Sequence, residues 1–178
     1  MIRDFEQWSP RVDEALYIDP QATVIGRVEL GKEVSIWPQA VLRGDVNHIS
    51  VGARTNIQDG SVLHVTHASE YAPGRSLSVG ENVTVGHSVT LHGCEVRDEC
   101  LIGMGSTVLD GAVIESEVML GAGSLVTQNS VLTSGYLWLG APARRLRQLT
   151  DKEREFLRYS AQHYVDLARQ YAGRTLKP

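Results

Sequence analysis

The chain contains 178 residues, 42% of them hydrophobic, with a formal net charge of −4 and a pI near 5.8. This length without a break in composition predicts one domain with short appendages. The acidic balance excludes the basic surface that nucleic acid or an anionic membrane would need, and no apolar stretch reaches the ~18 residues of a membrane span. Because residues 1–17 contain no basic region followed by an apolar run, no secretory signal is expected, and a cytoplasmic protein is predicted.

Residues 1–17 precede any repeat, and residues 18–134 carry an aliphatic residue at every sixth position, with a few slips of register. A six-residue period fits neither an α-helix nor one long strand. It is typical of short strands wound into a solenoid, in which each repeat buries one aliphatic side chain. Residues 1–17 are then expected to cap the open first turn. The aliphatic positions are Ile18, Val24, Leu30, Ile36, Leu42, Val51, Ile57, Leu63, Val79, Val85, Leu91, Val96, Ile102, Val108, Ile114, Leu120, Val126 and Leu132.

These hexads resemble the hexapeptide repeats of left-handed parallel β-helices. The resemblance implies three hexads per turn and a triangular prism of roughly six turns. The predicted fold is therefore an all-β solenoid, a left-handed parallel β-helix of hexapeptide repeats with a C-terminal α-helix packed alongside.

Two histidines share one predicted column on a face of this prism. When the insertion between Leu63 and Val79 is treated as a loop, His64 and His92 are three hexads apart. Strands of successive turns stack about 4.8 Å apart, so the two imidazoles are predicted to lie one above the other. Arg43 precedes His64 by three hexads and joins the same column beneath it.

His87 is predicted on the preceding face, beyond a corner from the stacked pair. A convex corner points side chains apart, so one prism is not expected to bring His87 onto the same ion as His64 and His92. Prisms arranged around a three-fold axis could do so, because the His64 face of one chain would meet the His87 face of the next. Three imidazoles with an open fourth position are the ligand set of a catalytic zinc. The alternative is that each histidine is a surface or hydrogen-bonded structural residue.

Three motifs carry a closer resemblance. RGD at residues 43–45, NIQDGSVLH at residues 56–64 and VGHSVTLHG at residues 85–93 are similar to the matching segments of gamma-class carbonic anhydrases. The resemblance extends from Tyr17 to about Tyr171.

The resemblance implies a homotrimer that binds zinc, or sometimes iron or cobalt, between subunits and hydrates CO2 to bicarbonate. It implies that His64 and His92 come from one subunit and His87 from its neighbour. No nucleic acid or membrane partner is implied.

The resemblance also assigns roles to residues beside the histidines. Arg43 and Asp45 are expected to form an ion pair across the subunit interface, a task that suits the planar fork of an arginine. Gln58 is expected to orient the metal-bound water through its amide. Asp59, one turn below His87, could hold the other nitrogen of that imidazole.

The sequence departs from the best-studied branch of the family at two acidic positions. Val46 follows RGD where that branch has an acidic residue, and His67 replaces a second acidic residue that is credited with proton transfer. His67, with an ordinary pKa near 6.5, could carry protons, as could Glu70. Each could equally be only a loop residue.

The chain ends with a predicted extended segment over residues 135–149 and a helix over residues 150–172. Thr150 and Glu153 form a capping box, and apolar residues follow at spacings of three and four. The resemblance places this helix near the site, where Tyr159 or Gln162 could contact it.

The two cysteines, Cys94 and Cys100, are expected to be reduced and buried. A ligand role for Cys94, which lies close to His92 in the sequence, is set aside because a thiolate would close the open metal position.

Three functions remain from the sequence. The leading one is metal-dependent hydration of CO2 as a gamma-class carbonic anhydrase. The second is a metal-loaded trimer with little or no hydratase activity that acts as a binding or assembly protein, because the acidic residues for proton transfer are replaced. The third is a hexapeptide acyltransferase, in which a single histidine would serve as general base.

Overall fold

The aliphatic residue of each hexad points into the molecule and forms its core. In the computed structural model, which describes residues 1–173, the side chains of Leu42, Leu63 and Leu91 are fully buried. The chain winds into a parallel β-solenoid of about eight turns with one C-terminal helix, and the predicted left-handed β-helix is confirmed.

Most strands are two or three residues long, because the chain turns a corner of the prism after each hexad. Numbered in chain order, they are β1 Ile2–Arg3, β2 Tyr17–Ile18, β3 Thr23–Leu30, β4 Ser35–Ile36, β5 Val41–Val51, β6 Asn56–Ile57, β7 Val62–His64, β8 Leu77–Val79, β9 Thr84–Val85, β10 Thr90–His92, β11 Glu95–Val96, β12 Leu101–Ile102, β13 Thr107–Val108, β14 Val113–Ile114, β15 Met119–Leu120, β16 Leu125–Val126, β17 Val131–Leu132, β18 Tyr136–Leu139 and β19 Arg144–Gln148.

The strands stack in three parallel columns, one for each face of the prism. The first face contains the start of β5 followed by β7, β10, β13 and β16, and the second contains the end of β5 followed by β8, β11, β14 and β17. The third face stacks β2, β4, β6, β9, β12, β15 and β18. Seven strands on one face exceed the roughly six turns expected from the sequence.

The long strands β3 and β5 run around the corner between the first and second faces. The register of their pairing shifts there, between Gly26 and Val28. A Cβ atom on Gly44 would lie 2.6 Å from the carbonyl oxygen of Arg27, so only glycine allows the two turns to approach at this point. The middle residue of RGD therefore has a structural role.

The stack continues beyond residue 134, where the sequence placed the end of the prism. In β18, Trp138 pairs with Leu120 of β15 and packs against the core. Trp138 occupies the sixth position after Leu132, but a search for aliphatic residues does not register a tryptophan there. After β18 the chain reverses, and β19 pairs with it antiparallel.

One helix, α1 Asp151–Ala172, closes the described chain. Thr150 is its N-cap, and the predicted capping box with Glu153 is present. The apolar side of α1 packs along the third face through Leu157, Ala161 and Val165, which are almost fully buried. Among residues 1–173, no helix has the length and apolar character required to cross a membrane.

Both cysteines are free and buried in the core. Burial raises the pKa of each thiol, Cys94 and Cys100, to about 12. At neutral pH both groups are therefore protonated, and neither is a ready thiolate ligand.

Candidate metal centre

The first face brings together the column predicted from the hexad count. Arg43 in β5 pairs with His64 in β7, and His64 pairs with His92 in β10. The Nδ1 atom of His64 lies 3.1 Å from the Nε2 atom of His92. Parallel register thus places two imidazoles from successive turns with one nitrogen of each facing the other.

Asp45 fixes the outer nitrogen of His64. Its carboxylate lies 3.1 Å from the Nε2 atom of His64 and also accepts a hydrogen bond from the Arg43 guanidinium. Burial alone would raise the pKa of Asp45, but the hydrogen bonds from Arg43 and His64 outweigh it and hold the pKa below its ordinary value. Asp45 is therefore an anion at neutral pH.

Arg43 and Asp45 pair within a single chain. Residues two apart on a strand point to the same side, and these two reach each other directly. The pair between subunits that the resemblance implied stays a prediction. The ion pair also holds His64, because the Asp45 carboxylate contacts both Arg43 and His64.

Asp110 fixes the outer nitrogen of His92, and the sequence reasoning missed it. Its carboxylate bonds the Nδ1 atom of His92 and accepts a hydrogen bond of 2.6 Å from the hydroxyl of Thr66. Burial would raise the pKa of Asp110, but these hydrogen bonds and the nearby charge of Arg75 lower it. The sequence did contain a signal for this contact. Asp110 directly follows the residue that stacks one turn above His92 in the hexad register, and it lies at a corner formed with Gly111.

The number of N–H donors on His64 and His92 favours a cation bound between the two rings. A neutral imidazole has one N–H donor and one lone pair. Burial lowers the pKa of His64, so its neutral form is favoured, and its one N–H serves Asp45. When the N–H of neutral His92 serves Asp110, lone pairs of His64 Nδ1 and His92 Nε2 face each other across 3.1 Å.

Two facing lone pairs repel unless a cation lies between them. Two imidazole nitrogens bound to a tetrahedral zinc at 2.0–2.1 Å would stand about 3.3 Å apart. The observed separation of 3.1 Å is close to that value, so the donor set of His64 and His92 fits a zinc-like ion.

His87 lies apart from this pair, on the turn that follows β9. Its side chain is exposed, and its Nδ1 atom lies 2.9 Å from the carboxylate of Asp59, the contact expected from the sequence. Among residues 1–173, no group bonds the Nε2 atom of His87. Within residues 1–173, no group of three His, Cys, Asp or Glu side chains is arranged to hold a metal ion.

A cavity of about 400 Å³ lies between the third face and α1, next to His87. Its lining is mainly apolar and includes Leu101, Met119 and Leu137. Gln58, which is almost fully buried, and the half-buried Tyr164 supply polar groups. Burial and the charge of Asp59 raise the pKa of the Tyr164 hydroxyl.

The remaining candidate residues are not in contact with the histidine pair. His67 is exposed on the loop after β7, and no described residue forms a hydrogen bond with its ring; Glu70 is exposed on the same loop. Tyr159 is 62% exposed on α1 and stacks with His163. Gln162 bonds Arg54 of the prism and Asp166 of the helix.

Known proteins resemble this chain over nearly its whole length. Protein YrdA of Escherichia coli is 52% identical over 96% of this chain and 94% of its own length. Gamma carbonic anhydrase 1, mitochondrial, of Arabidopsis thaliana is 49% identical over 96% of this chain, which covers 62% of that longer protein. A carbonic anhydrase of Geobacillus kaustophilus is 41% identical over 96% of this chain and 91% of its own length. No protein-family profile matches the chain.

Solved structures show the same fold. A hexapeptide transferase family protein from Anaplasma phagocytophilum superposes with a TM-score of 0.83 at 41% identity over 96% of this chain and 98% of that one. A putative acetyltransferase from Bacillus cereus superposes with a TM-score of 0.89 at 37% identity, covering 97% and 96%.

The fold and its solved relatives define a hexapeptide-repeat protein of the left-handed β-helix class. Within that class, proteins named carbonic anhydrase are 41% and 49% identical to this chain over 96% of its residues. This chain therefore belongs to the gamma-class carbonic anhydrase family.

Proposed function

We propose that this protein hydrates CO2 to bicarbonate, reversibly, at metal sites shared between the subunits of a homotrimer. The observation that carries the proposal is the 3.1 Å approach of His64 Nδ1 to His92 Nε2, with a carboxylate at the other nitrogen of each ring. Two nitrogens from one chain leave a tetrahedral ion short of ligands, and His87 of the partner subunit would supply the third. Family membership supports the same reading.

Each ligand has a carboxylate that sets which nitrogen is free. Asp45 bonds His64, and Asp110 bonds His92. Asp59 bonds His87 on the surface that would face the neighbouring subunit. A hydrogen-bonded carboxylate fixes the tautomer and ring direction of a ligating histidine. When bound, a zinc ion with three imidazole ligands supplies a water ligand whose pKa is near 7 and hence a nucleophile at neutral pH.

The protein's own residues would then bind and orient the reactants. The apolar wall of the cavity beside His87 suits CO2, which carries no charge and few hydrogen-bonding groups. Gln58 would orient the attacking oxygen through its side-chain amide. The proton that is released must reach solvent directly, through the exposed His67 or through buffer.

Zinc is the proposed metal, and iron or cobalt would use the same ligands. Imidazole nitrogens bind all three of these first-row metals, so the ligand type does not select one of them. The buried thiols of Cys94 and Cys100 add no softer ligand to the site.

Stopped-flow measurement of CO2 hydration tests the proposal. Protein prepared without air is loaded with zinc, then separately with iron, and His92→Ala is treated identically as the control. We expect the parent protein to catalyse CO2 hydration and the rate with His92→Ala to fall to the uncatalysed background. A trimer that carries one metal per chain yet hydrates CO2 no faster than the control would contradict the proposal and favour a metal-loaded binding or assembly protein.

A second candidate is transfer of an acyl group from coenzyme A, because the two solved relatives described above are named as transferases. That reaction needs one histidine as general base, and it does not need the paired imidazoles of His64 and His92. Calorimetric titration with acetyl-CoA decides the matter. Binding at micromolar concentration would favour the transferase, and no heat change would leave the hydratase.

A further inference from the structure

A buried chain of hydrogen bonds connects α1 to Gln58. The Nε2 atom of Gln58 donates to Oδ1 of Asn56 at 3.0 Å. The Nδ2 atom of Asn56 lies 3.2 Å from the hydroxyl of Thr84 and 3.4 Å from the carbonyl oxygen of Val83. The Thr84 hydroxyl lies 3.0 Å from the hydroxyl of Ser160 on the helix. All four side chains in the chain are at least 90% buried.

The backbone carbonyl gives this chain a direction. A carbonyl oxygen can only accept, so the group of Asn56 that faces the Val83 carbonyl is its NH2. Asn56 then presents Oδ1 to Gln58, and Gln58 must present Nε2 in return. The Thr84 hydroxyl accepts from Asn56, and Ser160 is its other partner among residues 1–173, so Ser160 is the acceptor available to the Thr84 proton.

The far end of the Gln58 amide is left for the cavity. Gln58 lines the cavity beside His87, and no donor in residues 1–173 bonds its Oε1 atom. If Ser160 could not accept, the Thr84 hydroxyl could turn and donate to Asn56. Both amides could then reverse, because the bond that Asn56 gains from Thr84 would outweigh its long contact of 3.4 Å with the Val83 carbonyl, and Gln58 would show its NH2 group to the cavity.

We propose that Ser160, acting through Thr84 and Asn56, is a positioning residue that keeps the carbonyl oxygen of Gln58 facing the site. The proposal rests on the proposed function for the identity of that site. It adds that the site prefers ligands with a hydroxyl donor, such as bicarbonate, over anions without one, such as nitrate. The C-terminal helix is thereby part of the selectivity of the site.

A purely structural role would have a different signature. Ser160 and Thr84 join the helix to the prism, so their loss lowers stability whether or not Gln58 turns. Ser35 offers a control, because its strand pairs with Asn56 in register, but its buried hydroxyl accepts from Trp37 and forms no hydrogen bond with the four linked side chains. Ser35→Ala should lower stability without turning Gln58.

The first test reads the amide directly and needs no activity. Side-chain NH2 signals of Gln58 and Asn56 are assigned by NMR in the protein as purified, and their hydrogen exchange is measured. The parent and Ser35→Ala should protect the Gln58 amide protons. Ser160→Ala and Thr84→Val should expose them, and Thr84→Ser should restore protection.

The second test measures selectivity. Cobalt-loaded protein is titrated with bicarbonate and with nitrate, and the change in visible absorption gives a dissociation constant for each anion. Loss of one hydrogen bond should lower the preference for bicarbonate by about three- to ten-fold in Ser160→Ala, and Ser35→Ala should keep the parent ratio.

The two proposals can fail separately. If the parent does not hydrate CO2 but Ser160→Ala still exposes the Gln58 amide, the proposed function is wrong and the positioning of Gln58 stands. If Ser160→Ala leaves both the amide protection and the anion ratio at the parent values, the positioning proposal is overturned, whatever the hydration rate.

Discussion

The stacked histidines of the first face and the lone histidine of the corner are built in opposite ways. The side chains of His64 and His92 are 18% and 36% exposed, and each is fixed by a carboxylate and by the other ring. The side chain of His87 is 47% exposed and, among residues 1–173, forms a hydrogen bond with Asp59 alone. Strand register prepares the pair within one chain, whereas the corner directs His87 outward. Under the proposed function, one chain therefore holds part of a metal site on each of two surfaces.

The largest expected effect comes from removing one ligand on either surface. His92→Ala and His87→Ala should each lose nearly all bound metal, because a structural or catalytic zinc needs at least three protein ligands. When the two variants are unfolded and refolded together in equal amounts, an interface that pairs an intact His92 with an intact His87 arises in about one quarter of cases. Metal content measured by elemental analysis should recover to about that fraction.

The same mixture distinguishes a shared site from a site within one chain. If all ligands came from a single chain, neither variant could complete the other, and the refolded mixture would stay metal-free. Each variant refolded alone is the control.

Stability should also differ between the two regions. Leu91 lies fully buried beside His92, and Leu91→Ala should lower the free energy of unfolding by about 2–5 kcal/mol. Met104 lines the cavity beside His87 but is 58% exposed, so Met104→Ala should change the free energy of unfolding by less than about 0.5 kcal/mol. Urea titrations at one protein concentration measure both; equal losses would show that the corner is packed as tightly as the face.

Replacing the carboxylate beside the stacked histidines should weaken metal binding more than replacing the carboxylate beside His87. Asp110→Asn removes the partner of His92 and should weaken metal binding by about 10–100-fold. Asp59→Asn should have a smaller effect, because both members of its exposed pair are solvated. Competition with a chelator gives the affinities, and Glu70→Gln on the exposed loop is the control. A larger loss for Asp59→Asn would reverse the ranking.

His67 should give the smallest effect, because it is exposed and belongs to neither group of proposed ligands. His67→Ala should lower the CO2 hydration rate at most several-fold, and only in dilute buffer, since buffer can replace a proton carrier. Added imidazole should restore the rate. If the rate in dilute buffer is unchanged, His67 is only a loop residue.

The sequence was sufficient to predict the columns of the prism. An inward aliphatic residue every six positions sets the register, and the register placed Arg43, His64 and His92 on one face, as the structure confirms. The same count placed His87 beyond a corner. These predictions succeeded because a parallel solenoid converts sequence spacing into vertical stacking.

The contacts across corners could not be predicted in the same way. Asp110 lies next to Gly93, beyond the paired residues of β10 and β13, and only the direction of its side chain brings it to His92. The polar chain from Ser160 to Gln58 depends on how α1 docks, which hexad spacing does not encode. Trp138 shows a third limit, because a large aromatic residue filled a position at which only aliphatic residues were counted.

Gly44 shows that the RGD tripeptide combines two separate requirements. A side chain at its centre would collide with the backbone of the preceding turn, so the glycine is demanded by architecture. A variant of this chain that had lost both stacked histidines would still need the glycine to close its prism. Gly44 therefore reports on the scaffold, whereas Asp110, which lies outside the tripeptide and bonds His92, reports on the proposed metal site.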